Sequence, residues 1–183
     1  GKPVLLSTGA STLVEIDIAV NELSQNGCKD IVLLHCILNY PTDYENANLN
    51  MMESLQKMYP SLAIGLSDHT LADPDMLTLT AAYLKGAVVI EKHFTHDKTI
   101  KGSDHRHSMD VDDLKKLTNN LLFVHKALGS KIKKPLASEQ VSRENARRSI
   151  VISKDIKKGE LISEDSLTYK RPESGISTLY WDK

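Results

Sequence analysis

The sequence predicts an α/β protein that contains half of a (β/α)8 barrel, followed by part of a small β-rich module. Four short apolar runs begin near residues 3, 31, 62 and 87, and a helical pattern follows each of them. The runs are apolar on both faces, as in buried parallel sheets. Their spacing of about 25 to 31 residues is one βα unit of a barrel of about 250 residues.

Local signals place the helices between these runs. The first helix starts at the capping box Thr12-x-x-Glu15 and ends at Asn26-Gly27. A second is predicted near residues 49–58, and a third starts at Asp73-Pro74. The fourth covers about residues 111–128, before Gly129. A doubly wound sheet is the alternative, but no G-x-G-x-x-G follows a strand.

The pattern changes after Gly129, which predicts three regions. Residues 1–129 form the barrel portion, 130–148 are a polar, basic linker, and 149–183 begin the β-rich module, with a turn at Lys158-Gly159. The module is too small for a core of its own. Four βα units are only half of a barrel, so we expect both ends of the chain to be cut points in a longer protein. Because half of the barrel is missing, we expect the isolated fragment to be inactive.

Composition excludes several classes of function. The chain has 183 residues, 40% of them hydrophobic and 26% charged, with a net charge of −1. The charge favours neither nucleic acid nor an anionic membrane surface, and no apolar run approaches the roughly 20 residues of a membrane span. The two cysteines, Cys28 and Cys36, fit a reducing compartment, so a cytoplasmic protein is predicted.

Polar residues follow the apolar runs at their carboxyl ends, which in a barrel all face the mouth where active sites form. The residues concerned are Ser7, His35-Cys36 with Asn39 and Tyr40 beyond, Ser67-Asp68-His69, and Glu91-Lys92-His93. His69 and His93 lie about one βα unit apart, so neighbouring strands would bring their imidazoles together. They are the predicted ligands of an open metal site, and a hydrogen-bonded histidine pair is the structural alternative.

Carboxylates and a polar loop accompany the two histidines. Asp68 and Glu91 are placed to orient an imidazole, bind the ion or move protons. In the loop of residues 101–107, Asp104 is the residue expected to reach a ligand. His105 and His107 of the same loop are predicted to be solvated.

Taken together, these motifs resemble the N-acetylneuraminate (sialic acid) synthase family. The matching segments are KPVLLSTGAS, VLLHCILNYPTDYENANL, IGLSDHT, VIEKHFTHDKTIKGSDH, RRSIVISKDIKKGELI and KRPESGIS. The resemblance implies the second half of a TIM barrel, then the start of an antifreeze-like (SAF) domain. It also implies a transferase that condenses phosphoenolpyruvate with an N-acetylated amino sugar, such as N-acetylmannosamine, and releases phosphate.

The resemblance also implies roles for individual residues. His69 and His93 match metal ligands, with Mn2+ the usual ion and Mg2+ or Co2+ the alternatives. Ser7, Asn39, Tyr40 and Ser67 match substrate-binding positions, Glu91 a catalytic one, and Asp104 both. Arg171 matches an arginine that the small domain of one subunit sends into the partner's site, so a homodimer with exchanged antifreeze-like domains is implied.

Two other functions remain compatible with parts of the sequence. A different metal-dependent barrel enzyme, an aldolase or a hydrolase, would explain the histidines but not the appended module. A non-catalytic carbohydrate-binding module would explain the tail but not the four polar strand ends. Which nonulosonic acid would be made stays open.

Overall fold

The computed structural model describes residues 1–102, 104–171 and 175–182. These residues form two compact units, with the boundary along the chain between Gly129 and Ser130.

The first unit is a four-stranded parallel sheet with helices between its strands. Its elements are β1 (Val4–Ser7), α1 (Leu13–Gln25), β2 (Ile31–Cys36), α2 (Met51–Met58), β3 (Ala63–Asp68), α3 (Leu77–Leu84), β4 (Ile90–Lys92) and α4 (Val111–Leu128). The strands lie side by side in chain order, β1-β2-β3-β4. This sequential order is that of a barrel, whereas a doubly wound sheet reverses direction at a switch point.

One face of the sheet packs against the helices and forms the core. Leu33, Ile64 and Leu66 of the sheet lie at most 3% exposed against buried residues of the helices, including Met52 and Leu79. Because side chains alternate along a strand, residues one position away point to the opposite face. Ser67 and Glu91 occupy that opposite face, next to each other in register. Core packing and site residues are therefore on different faces of the sheet.

The predicted alternation of strands and helices is confirmed, but two boundaries differ. The third helix starts at Leu77 rather than Asp73, because Met76 adopts a left-handed backbone conformation with φ of +53°. The carboxylate of Asp73 accepts hydrogen bonds from the backbone N–H groups of Leu77 and Thr78, so it still caps this helix from outside. The fourth strand is assigned from Ile90, although Val88 and Val89 already exchange backbone hydrogen bonds with β3. Ala87 donates its N–H to the carbonyl of Ala82 and closes the preceding helix.

The second unit contains a short helix and a small antiparallel sheet. The helix is α5 (Gln140–Ala146), and the strands are β5 (Ser149–Ile152), β6 (Leu167–Lys170) and β7 (Ile176–Ser177), in the order β6-β5-β7. The segment of residues 130–148, predicted to be a linker, thus includes a helix. Lys158 and Gly159 form the expected turn, with φ of +95° at Gly159.

Among the described residues, no helix combines the length and the apolar character that crossing a bilayer requires. Cys28 and Cys36 are both free thiols.

Candidate active site

The ends of β3 and β4 bring the two predicted metal-binding histidines together. Asp68 and Lys92 are register partners, and each strand continues with a histidine, His69 or His93. The centroids of these two imidazole rings are 5.3 Å apart, with one ring edge-on to the other. Parallel pairing of neighbouring βα units therefore places the rings side by side, as their spacing predicts.

A buried ion pair holds the two strand ends in this register. Lys92 Nζ lies 2.7 Å from Asp68 Oδ2, and both side chains are at most 3% exposed. Lys92 also donates to the carbonyl of Thr70, while the backbone N–H and hydroxyl of Thr70 donate to the Asp68 carboxylate. A buried pair of charges is tolerated because these further hydrogen bonds compensate it. The pair fixes the backbone immediately before both histidines.

The imidazole of His69 has a defined tautomer. Its Nδ1 atom lies 2.8 Å from the carbonyl oxygen of Ile37, and a carbonyl can only accept, so Nδ1 carries the proton. The lone pair is then on Nε2. This arrangement, in which one ring nitrogen donates to a backbone carbonyl, is the usual support of a metal-ligating histidine.

The segment between β4 and α4 folds back onto the end of β4. Met109 donates its N–H to the carbonyl of His93, and Thr95 donates its N–H to the carbonyl of Met109, both at 2.8 Å. Lys98, in the first part of this segment, forms ion pairs with Asp110 and Asp113 and so ties the segment to the start of α4. The returning segment brings Asp104 to His93, with 3.9 Å between Asp104 Oδ2 and His93 Nδ1.

The same segment carries His107, which the sequence predicted to be solvated. That prediction was wrong, because His107 is 0% exposed and its ring centroid lies 4.8 Å from that of His93. Burial, assisted by nearby His93 and Lys92, lowers the pKa of His107. His105 is half-buried, and its Nδ1 atom lies 2.7 Å from the hydroxyl of Thr95.

Tyr40 completes a group of four rings. Its ring centroid lies 4.1 Å from that of His69, 5.9 Å from that of His93 and 5.7 Å from that of His107. Partial desolvation raises the pKa of Tyr40, and the nearby Cys36, Asp104 and Glu91 add to this. The Tyr40–Pro41 peptide bond is cis. We refer to Tyr40, His69, His93 and His107 with Asp104 as the imidazole cluster.

Ser67 and Glu91 form a separate pair two residues before His69 and His93 on the same two strands. Ser67 is 3% exposed, and its hydroxyl donates to Glu91 Oε1 over 2.7 Å. Because residues two apart on a strand share a face, this pair lies on the face of the sheet that leads to the imidazole cluster.

The remaining predicted residues are outside this group. Ser7 ends β1, two strands away from β3, and is exposed. Asn39 is exposed, and its carbonyl accepts a hydrogen bond from Thr42. Arg171 is an exposed residue directly after β6 in the second unit, and the next residue of its motif, Pro172, lies outside the described residues.

Comparison with known proteins places these features in a family. The family model described as the NeuB family matches residues 1–133. The chain belongs to the NeuB family. A second model, described as the SAF domain, matches residues 147–183. The predicted resemblance and the predicted fold, half of a barrel followed by part of an SAF domain, are thereby confirmed.

Two relatives and one solved structure illustrate the NeuB-family likeness. An uncharacterised protein of Methanocaldococcus jannaschii is 49% identical over 98% of this chain and 52% of its own length. The N,N'-diacetyllegionaminic acid synthase of Campylobacter jejuni is 45% identical over 100% of this chain and 54% of its own. The N-acetylneuraminic acid (sialic acid) synthetase of Leptospira borgpetersenii, crystallised with citrate, is 34% identical with a TM-score of 0.68, over 76% of this chain and 47% of that one.

The chain spans about half the length of the curated relatives it matches. The reaction of a whole enzyme that contains this chain is therefore a matter of proposal.

Proposed function

We propose that this protein is part of a nonulosonic acid synthase, which condenses phosphoenolpyruvate with an N-acetylated amino sugar and releases phosphate. The observation that carries the proposal is the imidazole cluster, with Ser67 and Glu91 beside it, at strand ends of a NeuB-family half-barrel. A family assignment alone indicates a fold, whereas this group of residues indicates carbonyl chemistry.

The residues present fit a divalent ion, and we propose Mn2+, with Co2+ or Mg2+ as alternatives. The Nδ1 proton of His69 leaves the lone pair on Nε2, and His93 lies beside this ring with Asp104 within reach. Mixed nitrogen and oxygen ligands suit these ions. When bound, the ion would act as a Lewis acid that polarises the aldehyde oxygen of the sugar.

The protein's own groups would position the reactants and move protons. In the balanced reaction, the methylene carbon of phosphoenolpyruvate bonds to the aldehyde carbon as the C=O double bond opens, and the aldehyde oxygen takes up a proton. Water adds to the former enol carbon and loses a proton, and the carbon–oxygen bond to phosphate breaks to leave a ketone. Glu91 is the proposed base that takes a proton from this water, and Ser67, whose hydroxyl already donates to Glu91, holds the carboxylate in place. Tyr40, Asn39, Ser7 and Asp104 are proposed substrate contacts.

The experiment measures phosphate release by the full-length protein with phosphoenolpyruvate, Mn2+ and a panel of N-acetylated amino sugars, with product mass determined in parallel. The panel includes N-acetylmannosamine and the precursor of N,N'-diacetyllegionaminic acid, since the Campylobacter jejuni relative is named for that product. We expect phosphate release only when a sugar is present, matched by formation of the condensed acid. Phosphate release without sugar would indicate a hydrolase, and condensation of the sugar with pyruvate in place of phosphoenolpyruvate would indicate an aldolase.

Arg171 provides a prediction about the SAF domain, which we propose is exchanged between the subunits of a homodimer. If its guanidinium contacts the sugar or the charged intermediate, lysine cannot reproduce the two-pronged contact. Loss of a charge-assisted hydrogen bond costs about 1.5–3 kcal/mol, or about one to two powers of ten in rate. Arg171→Lys should therefore lower kcat/KM for the sugar more than tenfold and that for phosphoenolpyruvate less.

The control is Arg143→Lys, the same change at a residue of α5 in the same unit. A kcat/KM for the sugar within about twofold of the parent in Arg171→Lys would make Arg171 a surface residue. It would also remove the main support for the exchanged domain.

A further inference from the structure

His107 has two buried ring nitrogens without a hydrogen-bond partner. Its side chain is 0% exposed, and neither Nδ1 nor Nε2 makes a hydrogen bond within the described residues. Leaving a buried polar atom unpaired is unfavourable, and such atoms are rare in native proteins unless a ligand, an ion or water satisfies them. The chemistry of the His107 ring therefore requires a partner beyond the residues around it.

The ligand-forming groups close to His107 favour a cation as that partner. One ligand atom each from His93, Asp104 and His107 lies within 4.8 Å of the other two. Two nitrogens that are each about 2.1 Å from one ion are roughly 3.0–3.4 Å apart at octahedral or tetrahedral angles, so side-chain movements of about 1–2 Å would bring all three onto a shared ion. A cation between these groups would take the lone pair of one His107 ring nitrogen, and the other nitrogen would keep its proton and donate it to an acceptor such as water.

The position of His107 follows from its backbone anchors. Met109, two residues later, is hydrogen-bonded to His93 and Thr95 of the strand end. Ser108 donates its hydroxyl to the carbonyl of Asp104 over 2.6 Å, which tightens the turn between the two candidate ligands. The hydrogen bonds that hold this segment against the end of β4 therefore also place His107 next to His93.

We propose that His107 is a further imidazole ligand of the divalent ion, so that this protein offers His69, His93, His107 and Asp104 rather than two histidines. The proposal rests on the proposed function for the location of the ion. Adding an imidazole strengthens binding of Co2+ and Zn2+ more than binding of Mn2+ and Mg2+, since nitrogen ligands suit the later ions and Mn2+ and Mg2+ prefer oxygen. His107 would then set metal preference as well as affinity.

Direct metal binding to the full-length protein tests this, without turnover. Co2+ and Mn2+ are titrated separately into metal-free protein and into His107→Leu, which fills the space without a ligand. In His107→Leu we expect the Kd for Co2+ to rise at least tenfold and the Kd for Mn2+ to rise less. Loss of a residue that only orients a metal ligand already weakens binding by 10–100-fold. His96→Leu, an exposed histidine in the same segment, is the matched control and should leave both values unchanged.

X-ray absorption of the Co2+-loaded parent protein gives a second readout that needs no variant. It should count three imidazoles, and two in His107→Leu or, if that variant does not fold, in His107→Gln. Two imidazoles in the parent, or an unchanged Kd for Co2+ in a folded His107 variant, would overturn the proposal. Three imidazoles in a protein that makes no nonulosonic acid would support the ligand assignment and reject only the proposed function.

Discussion

Replacing His93 with alanine is expected to lower kcat/KM for nonulosonic acid formation at least about a hundredfold at saturating Mn2+. Loss of a partner that merely orients a metal ligand costs 10–100-fold in activity or affinity, and His93 is proposed as a ligand itself. Its side chain is 31% exposed, so the free energy of unfolding should fall by only about 1 kcal/mol, the typical cost of a point mutation. Phosphate release and urea unfolding of the same preparations measure the two effects.

His96→Ala provides the control, because His96 is exposed three residues further along the chain. It should keep the activity and the stability of the parent. If His93→Ala retained more than about a tenth of the parent's kcat/KM, the ion would not depend on this ring and the proposed site would be misplaced.

Lys92→Met is expected to destabilise the fold by about 3–5 kcal/mol. Methionine matches the length of lysine but leaves the Asp68 carboxylate buried without its cation, and an uncompensated buried charge has a cost of this size. The effect is measured as the free energy of unfolding in urea, without metal, so that ligand binding does not contribute.

Two further variants test whether the buried charge causes the loss of stability in Lys92→Met. Lys92→Met combined with Asp68→Asn removes both charges and keeps an acceptor for Thr70, so it should recover most of the loss. Lys85→Met breaks an ion pair with Glu53 of the same 2.7 Å length, but one that is 31% and 50% exposed, and should cost under about 1 kcal/mol. Equal losses in Lys92→Met and Lys85→Met would show that burial of the pair is not what matters.

The strands could be predicted from the sequence because their apolar runs are continuous and regularly spaced. Predicted starts near residues 31 and 62 correspond to Ile31 and Ala63. The start of α3 could not be predicted in the same way. Asp73-Pro74 is a valid helix-start signal, but the left-handed conformation of Met76 moves the start of the helix to Leu77. The Asp73 carboxylate caps the helix by accepting a hydrogen bond from the Leu77 N–H. The sequence permits both helix starts, and the local signals do not decide between them.

Some residues of the candidate site could likewise be predicted from the sequence, and others could not. His69 and His93 could be predicted to be neighbours because strand register alone determines their separation. The burial of His107 depends on the backbone pairing of Met109 with the strand end, a contact between positions far apart in the sequence. A histidine between Arg106 and Ser108 has the composition of a solvated loop, and the local signal for another role was the density of Asp and His around it.

The histidines and the aspartate of the imidazole cluster come from two kinds of chain segment, strand ends and one connecting segment, and this makes the site modular. The backbone at His69 and His93 is fixed by a ladder and a buried ion pair, so it cannot shift without cost to the fold. Asp104 and His107 belong to a connecting segment that Met109 and Lys98 hold near its two ends. If an ion binds there as we propose, exchange of that segment would change which ion is preferred while the scaffold stays constant.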